Sequence, residues 1–539
     1  MLGNMMQRPL LISSLLVHAE RHHGSQEIVS KRVEGDIHRY TYRDLGGRAR
    51  RLANALGELG VEPSDRVATL AWNGYRHMEL YFAIGGIGAV THTINPRLHG
   101  DQVAWIANHS KAEVLFFDLT FVSLIESIVS KLQSVKTFVL MTDRSNMPET
   151  KIENLVCYED LLKSATPKSE WPTFDENEAS ALCYTSGTTG NPKGVLYSHR
   201  STVLHAFALA LPDALKLSAN DTILPIVPMF HVNAWGLPYA ACLVGAKLVL
   251  PGPNLDGKSV FELMEAEGVT RASAVPTVWL GLQNHLHETG QSFSTLQRVG
   301  IGGAACPPTI IREFMRRNVE VMHGWGMTET SPMATISTLT RKFASLEEDA
   351  QIAQQAKQGR ILYGVDMKVV DANGKELPWD GKSSGQLFVQ GPWIVSKYYR
   401  ATSDAHENGW FPTGDIATID ADGYMQITDR SKDVIKSGGE WISSTDLENI
   451  ASGYPGVALA ACVAAPHPKW DERPVLFVVR KEGATVSRDD ILKYYTGKIA
   501  KWWTPDEVIF VDEIPIGATG KVLKNKLRAR LDELGVKLS

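Results

Sequence analysis

The segment Tyr184-Thr185-Ser186-Gly187-Thr188-Thr189-Gly190-Asn191-Pro192-Lys193-Gly194 concentrates the residue types that hold a polyanion. Glycines let backbone N–H groups approach an anion closely, the hydroxyls of Thr185, Ser186, Thr188 and Thr189 add donors, and Lys193 adds positive charge. The pattern G-x-x-x-x-G-K-[ST] cannot be fitted to it, so it is not a Walker A loop. Glycines alone would serve equally well in an ordinary polar turn between a strand and a helix. The whole string favours a phosphate-gripping loop.

The elements that must carry such a loop read as alternating strands and helices. Residues 65–70, 112–117, 137–141, 247–250 and 271–275 are short β-like runs, and residues 74–89, 121–132 and 260–267 carry apolar residues at helical spacing. That alternation predicts parallel sheets covered on both faces. Residues 9–17 read as a first amphipathic helix, and the polar, helix-prone residues 342–357 as exposed. From about Ile361 the texture becomes β-rich, with strands expected at 367–375, 385–389 and 424–428 and hairpin-type turns at Asn373-Gly374 and Asp422-Gly423. Beyond Arg430 a smaller α+β unit follows, with one strand apparent at 475–479 and a basic tail. The expected fold is therefore α/β: an N-terminal domain over residues 1–430 with a β-rich subdomain at about 361–430, a hinge at 431–433, and a mobile C-terminal domain over 434–539.

Composition sets outer bounds. The chain has 539 residues, 44% apolar and 21% charged, close to the globular average, which excludes wholesale disorder. Its 55 Lys and Arg against 60 Asp and Glu, a net charge of −5, speak against gripping long nucleic-acid backbones. Cys157, Cys183, Cys242, Cys306 and Cys462 are an odd, scattered set without a Cys-x-x-Cys pair, the profile of buried thiols in a reducing compartment. The longest clean apolar stretch, residues 457–465, is far shorter than the ~20 residues a membrane span needs. A soluble, cytoplasmic enzyme fits these bounds.

The phosphate-type loop resembles that of the adenylate-forming superfamily of acyl-CoA synthetases, luciferases and peptide-synthetase adenylation domains. The resemblance recurs in order at Pro228-Met229-Phe230-His231, Gly302-Gly303-Ala304-Ala305, Gly324-Trp325-Gly326-Met327-Thr328-Glu329-Thr330, Thr413-Gly414-Asp415, Asp429-Arg430-Ser431-Lys432-Asp433 and Gly520-Lys521. It implies ATP, Mg2+ and coenzyme A as ligands. Residues Thr185 to Lys193 would hold the β- and γ-phosphates, and Glu329 with Thr185 would meet the magnesium, a hard cation suited to oxygen ligands. Asp415 would accept hydrogen bonds from the ribose hydroxyls. Gly303, Ala304 and Ala305 would underlie the adenine, and Trp325 would stack on it. His323, Gly324, Gly326, Met327, Thr328, Ile427 and Arg430 complete the implied nucleotide site, and Lys432 occupies the hinge position. Lys521 resembles the C-terminal lysine that reaches the acid and the α-phosphate, where a cation offsets the repulsion of two anions. Lys436, Ser437, Gly438, Gly439, Glu440 and Trp441 resemble the loop that lines the pantetheine tunnel once the small domain has rotated.

The resemblance further implies that His231 marks the carboxylate end of an acyl pocket walled by Trp235, Gly302, Trp325, Pro332 and Met333. His231, Glu329 and Lys521 form the implied catalytic set. Gly326 stands where dedicated acetate enzymes carry a bulky Trp, which favours a longer acid. Residues 434–444 are similar to medium-chain fatty acyl-CoA ligases, a group that includes ligases for 3-methylthiopropionate, a thioether nearly isosteric with a short alkyl chain. A short or medium-chain acid, 3-methylthiopropionate first, is thus the expected substrate, with a homodimer expected from the family. A general medium-chain fatty acyl-CoA synthetase is the main alternative. A carrier-loading adenylation domain would want an acidic residue near residues 231–235, which offer none. Nothing in the sequence supports luciferase-type oxidation, and retention of Lys193, Glu329, Asp415 and Lys521 together disfavours a degenerate regulatory protein.

Overall fold

The computed structural model describes residues 1–539 except 2, 168–169, 186–190, 438–439, 518–521, 536–537 and 539, and the side chains of 440, 441 and 532. Two large sheets dominate. The first has seven strands in the order Val156–Cys157, Thr137–Leu140, Val114–Phe117, Arg66–Leu70, Val90–Thr93, Ala179–Tyr184 and Gly194–Ser198, parallel except for the last pair. The second has nine, with the parallel strands Glu320–Gly326, Arg298–Ile301, Arg271–Ala274, Thr222–Pro225, Lys247–Leu250 and Glu27–Lys31 adjacent in that order. Antiparallel strands Met333–Ser337, then Arg360–Ile361, extend one edge, and Ile37–Thr41 extends the other. Val114–Phe117 and Arg271–Ala274 are buried at every position, as strands covered on both faces must be.

Helix Tyr75–Gly86 explains how the two sheets hold together. All its residues are buried, and it packs against strands of both sheets. Its one carboxylate, Glu79, is fully buried beside Arg48 Nε at 2.6 Å and Tyr158 Oη at 2.6 Å. Burial pushes the Glu79 carboxyl above its usual range, while those two partners pull it back. The first helix, Ile12–His22, presents Ile12, Leu15, Leu16 and Ala19 inward, as its amphipathic spacing predicts.

The β-rich region is a four-stranded antiparallel meander, Asp366–Val370, Gly385–Gln390, Phe411–Ile419 and Met425–Arg430. Asp422-Gly423 makes the expected hairpin, with Gly423 at φ +81°. The expected strand through Lys375 does not form: only an isolated Val370–Glu376 bridge follows the turn, and Gly385–Gln390 takes the partner role. The 342–357 stretch is also less exposed than its polarity suggests. It breaks into helices Arg341–Ala344 and Glu348–Gln355, and the second buries Ile352, Gln354 and Gln355. Beyond residue 434 there is a five-stranded sheet rather than one strand. Asp471–Arg480 pairs with the long Val457–His467, with Ile435–Ser437 and with Glu507–Phe510. The apolar run at 457–465 is one of these core strands, a reading that hydropathy alone left open.

Candidate active site

Successive loops leaving the carboxyl ends of the parallel strands converge on one cavity of about 300 Å³. Val90–Thr93 leads to Asn95 and Arg97, and Ala179–Tyr184 leads to Thr185. Thr222–Pro225 leads to the 227–235 segment, Arg271–Ala274 to Val275, Arg298–Ile301 to Gly302 and Gly303, and Glu320–Gly326 to Met327, Thr328 and Glu329. Tyr398 and Arg430 approach from the β-rich region.

At the polar end, the described base of the phosphate-type loop is clasped from both sides. The Thr185 N–H donates to the Lys193 carbonyl at 2.9 Å, and the Lys193 N–H donates to Thr185 Oγ1 at 3.1 Å. The loop joins the antiparallel strands Ala179–Tyr184 and Gly194–Ser198. Ser186, Gly187, Thr188 and Thr189 lie outside the described residues. Lys193 Nζ sits 4.7 Å from the centroid of the Tyr398 ring, and Tyr398 Oη donates to Glu329 Oε1 at 2.8 Å. Glu329 is 7% exposed. Burial raises its carboxyl above the ordinary value, against the opposing pull of Tyr398, Lys193 and Arg430. The cavity thus offers a carboxylate and the Thr185 oxygens, the hard donors a magnesium ion prefers. The described residues hold no cluster of three or more His, Cys, Asp and Glu suited to a metal. A donor set this sparse fits magnesium, which is commonly held by one or two carboxylates together with substrate phosphates and water.

Near the β-rich region, the Trp325 indole N–H donates to Asp415 Oδ2 at 3.0 Å, and Arg430 Nε lies 3.4 Å from Asp415 Oδ1. Asp415 is buried and does not itself line the cavity, whereas Trp325, Gly324, Gly326, Met327, Thr328 and Gly303 do. Ala304 and Ala305 are exposed on the loop that follows Gly303. His323 is buried behind the wall, its Nδ1 3.0 Å from the Ala356 carbonyl, and the Ile427 N–H donates to Gln358 Oε1 at 2.6 Å.

The other end of the cavity is apolar, walled by Val232, Trp235, Gly302, Pro332 and Met333, with half-buried His231 beside them. Glycines are needed here because backbones approach closely. A Cβ on Gly302 would sit 3.0 Å from the Trp235 ring, and one on Gly326 would sit 1.9 Å from the Pro332 carbonyl oxygen. Gly326 therefore has a packing reason of its own: it pairs with Met333 across an irregularity in the sheet register, apart from any bearing on acid length.

The C-terminal residues group elsewhere. Lys432 is exposed. The Lys436 N–H donates to Glu472 Oε2 at 2.7 Å, and buried Ser437 accepts from the Arg473 guanidinium at 3.3 Å. Lys521, Gly438 and Gly439 lie outside the described residues, as do the side chains of Glu440 and Trp441. Sequence reasoning missed Asn95, Arg97, Val275 and Tyr398, which line the same cavity. Tyr398 sits in a Tyr-Tyr-Arg run with no spacing signal, and only the fold brings it to Glu329.

Known proteins are similar to this chain. The chain is 51% identical over 530 residues to a 3-methylmercaptopropionyl-CoA ligase of Ruegeria lacuscaerulensis, covering 98% of both chains. It is 50% identical over 536 residues to a medium-chain-fatty-acid–CoA ligase of Ectopseudomonas oleovorans, covering 99% of this chain and 98% of the relative. Among solved structures, an anthranilate CoA ligase in complex with anthranoyl-AMP superimposes with a TM-score of 0.86 at 24% identity over 98% of both chains. The family model for AMP-binding enzyme matches residues 16–399, and that for the AMP-binding enzyme C-terminal domain matches residues 446–521. With two family models matched in order and relatives at half identity from end to end, the chain belongs to the AMP-binding enzyme family.

Proposed function

We propose that the protein is an ATP-dependent acid–CoA ligase acting on a short or medium-chain carboxylic acid, 3-methylthiopropionate first among them. One observation carries this reading: a single cavity runs from an apolar end at Trp235, Gly302 and Met333 to a polar end at Thr185, Lys193 and Glu329. An acid lying in the apolar end directs its carboxylate toward the place where the chain offers cationic and hydroxyl groups.

A carboxylate is a poor acyl donor because its leaving group would be oxide. Joining its oxygen to the α-phosphorus of ATP breaks the bond to the β-phosphate and releases pyrophosphate. The thiolate of CoA then attacks the acyl carbon, and AMP departs with the oxygen. Lys193 and the Thr185 hydroxyl bind and orient phosphate oxygens. Tyr398 holds Glu329 in place through its hydroxyl, and a magnesium ion bound at Glu329 and Thr185 would supply charge neutralisation. Asp415, facing Trp325 and Arg430, would hold the ribose, and Lys521 would bring positive charge between the two approaching anions.

Domain alternation belongs to the same proposal. Residues 431–433 serve as the hinge, and Lys521 and the 436–441 loop take turns at the cavity. Among the described residues, the polar contacts at the hinge that would have to change include the Ser444 N–H to Asp429 Oδ2 at 2.6 Å, the Ser443 hydroxyl to the Thr428 carbonyl, and Arg528 to Asp433 and to the Lys432 carbonyl. A homodimer is proposed as well, and a cytoplasmic location agrees with five free, buried cysteines. No helix among the described residues is long and apolar enough to cross a membrane.

A general medium-chain fatty acid specificity is the second reading, favoured by the relative from Ectopseudomonas oleovorans and by the closeness in shape of a thioether to an alkyl chain. The test is pyrophosphate release with propionate, butyrate, hexanoate, octanoate and 3-methylthiopropionate, with and without CoA. The expected result is acid-dependent release, with 3-methylthiopropionate showing the highest kcat/KM and thioester formed only with CoA. Octanoate leading the panel would replace the first acid with the second reading. Release independent of any acid would overturn both.

A further inference from the structure

The wall of the apolar pocket contains a backbone conformation that L-amino acids avoid. Val232, Asn233, Ala234 and Trp235 have φ values of 43°, 53°, 50° and 57°, and Gly236 follows at 77°. A left-handed helical turn crowds the Cβ of every L-residue in it, and a β-branched residue such as Val232 is especially ill-suited to it. Such a turn persists only where its surroundings over-determine it. It also carries two side chains, Val232 and Trp235, that face the cavity.

Besides its own backbone bonds, among them the Ala234 N–H to the Pro228 carbonyl, the segment leading into the turn is braced by residues distant in the chain. Asn73, just beyond the strand Arg66–Leu70, is 3% exposed. Its Nδ2 donates to the Pro225 carbonyl at 2.7 Å and to the Val227 carbonyl at 2.9 Å, while its Oδ1 accepts the Met229 N–H at 2.7 Å. One carboxamide thus takes three backbone groups of the segment leading into the turn. Tyr81, on the buried helix Tyr75–Gly86, donates to the Met229 carbonyl at 2.5 Å, and its Oη lies 3.4 Å from Asn233 Oδ1. The Cys183 thiol reaches the same oxygen at 3.5 Å. Neither Asn73 nor Tyr81 lines the cavity.

We propose that Asn73 is a positioning residue for acid recognition: by holding the 225–229 backbone it sets the left-handed turn that presents Val232 and Trp235 to the acid. The proposal rests on the ligase reading above. Asn73 acts on the acid end because its three backbone partners lie on the segment leaving Thr222–Pro225, whereas the residues implied in phosphate and ribose binding lie on or beyond other strands.

The test compares wild type with Asn73→Asp, which keeps the acceptor for Met229 but loses both donors, and with Tyr81→Phe, which removes only a hydroxyl. Acid KM, ATP KM and the chain-length profile from three to eight carbons are read from pyrophosphate release, with thermal melts for folding. Asn73→Asp is expected to raise acid KM about tenfold and flatten the profile, with ATP KM within about twofold of wild type. Tyr81→Phe is expected to shift acid KM in the same direction by about threefold, and it carries the test alone if Asn73→Asp does not fold. Acid and ATP KM rising together in the variants would overturn the proposal, as would variants whose acid KM and profile match those of an active wild type; the ligase reading would survive both. A wild type that releases no pyrophosphate with any acid overturns the ligase reading, and this proposal with it.

Discussion

The Trp325 indole N–H donates to the Asp415 carboxylate at 3.0 Å, tying the nine-stranded sheet to the four-stranded meander at the edge of the cavity. The donor is neutral and the acceptor is a buried carboxylate, an arrangement worth about 1.5–3 kcal/mol when the acceptor is charged. The bond fixes both the plane of the indole and the direction of the carboxylate.

Trp325→Phe keeps an aromatic face but removes the donor. ATP KM is expected to rise about tenfold, the equivalent of ~1.4 kcal/mol, with acid KM changing much less. Steady-state kinetics with each substrate varied would check this. An unchanged ATP KM would mean that the indole N–H does not orient the nucleotide's carboxylate partner.

Glu329 is buried at the polar end of the cavity. Burial raises its carboxyl above the ordinary glutamate value, so acid conditions protonate it earlier than they would a solvent-exposed glutamate. A protonated carboxyl is a poor magnesium ligand. The concentration of magnesium needed for half-maximal rate should therefore climb as pH falls, beginning at a higher pH than an ordinary glutamate would dictate. In Glu329→Gln this pH dependence should vanish while the magnesium requirement stays high throughout. Rates measured across a magnesium series at several pH values decide the matter, and a persisting pH dependence in Glu329→Gln would assign it to another group.

The two half-reactions should separate at Lys521. Lys521→Ala is expected to lower acid-dependent pyrophosphate release by at least about a hundredfold, because a cation placed at developing charge contributes several kcal/mol. Thioester formation from supplied acyl-adenylate and CoA should stay within a few-fold of wild type. An equal loss in both assays would contradict the rotation of the small domain.

Asp118 offers a stability test away from the cavity. It is buried after the strand Val114–Phe117, accepts the Trp72 N–H at 2.7 Å, and burial pushes its carboxyl up to about 7 from the usual 3.8. Because the folded value lies above the unfolded one, the folded state holds the proton more tightly. The group's contribution is full below about 3.8 and is lost as pH rises to about 7. Asp118→Asn should therefore melt at increasingly higher temperature than wild type between pH 4 and 7, with a constant difference above pH 7. Thermal melts at four pH values would show it, and a pH-independent difference would rule out this titration.

The alternation of short apolar runs with helical periodicity is local, so residues 65–70, 112–117 and 247–250 announce their strands, and with them the parallel α/β class, without any tertiary information. The glycine- and hydroxyl-rich string ending at Lys193 is likewise legible, because its chemistry lies in consecutive residues. What the chain could not display is adjacency. Tyr398 meets Glu329, Asp415 meets Trp325, and Asn73 meets Met229 over separations of 69, 90 and 156 positions, and no spacing rule encodes such pairs. The left-handed turn at Val232–Gly236 is hidden for the same reason. Its residues individually prefer right-handed or extended backbone, and the groups that meet Asn233 within it, Tyr81 and Cys183, come from far away in the chain. The strand Val457–His467 of the small domain was obscured in the opposite way: a run as apolar as 457–465 has no period to read until its partner, Asp471–Arg480, is seen beside it.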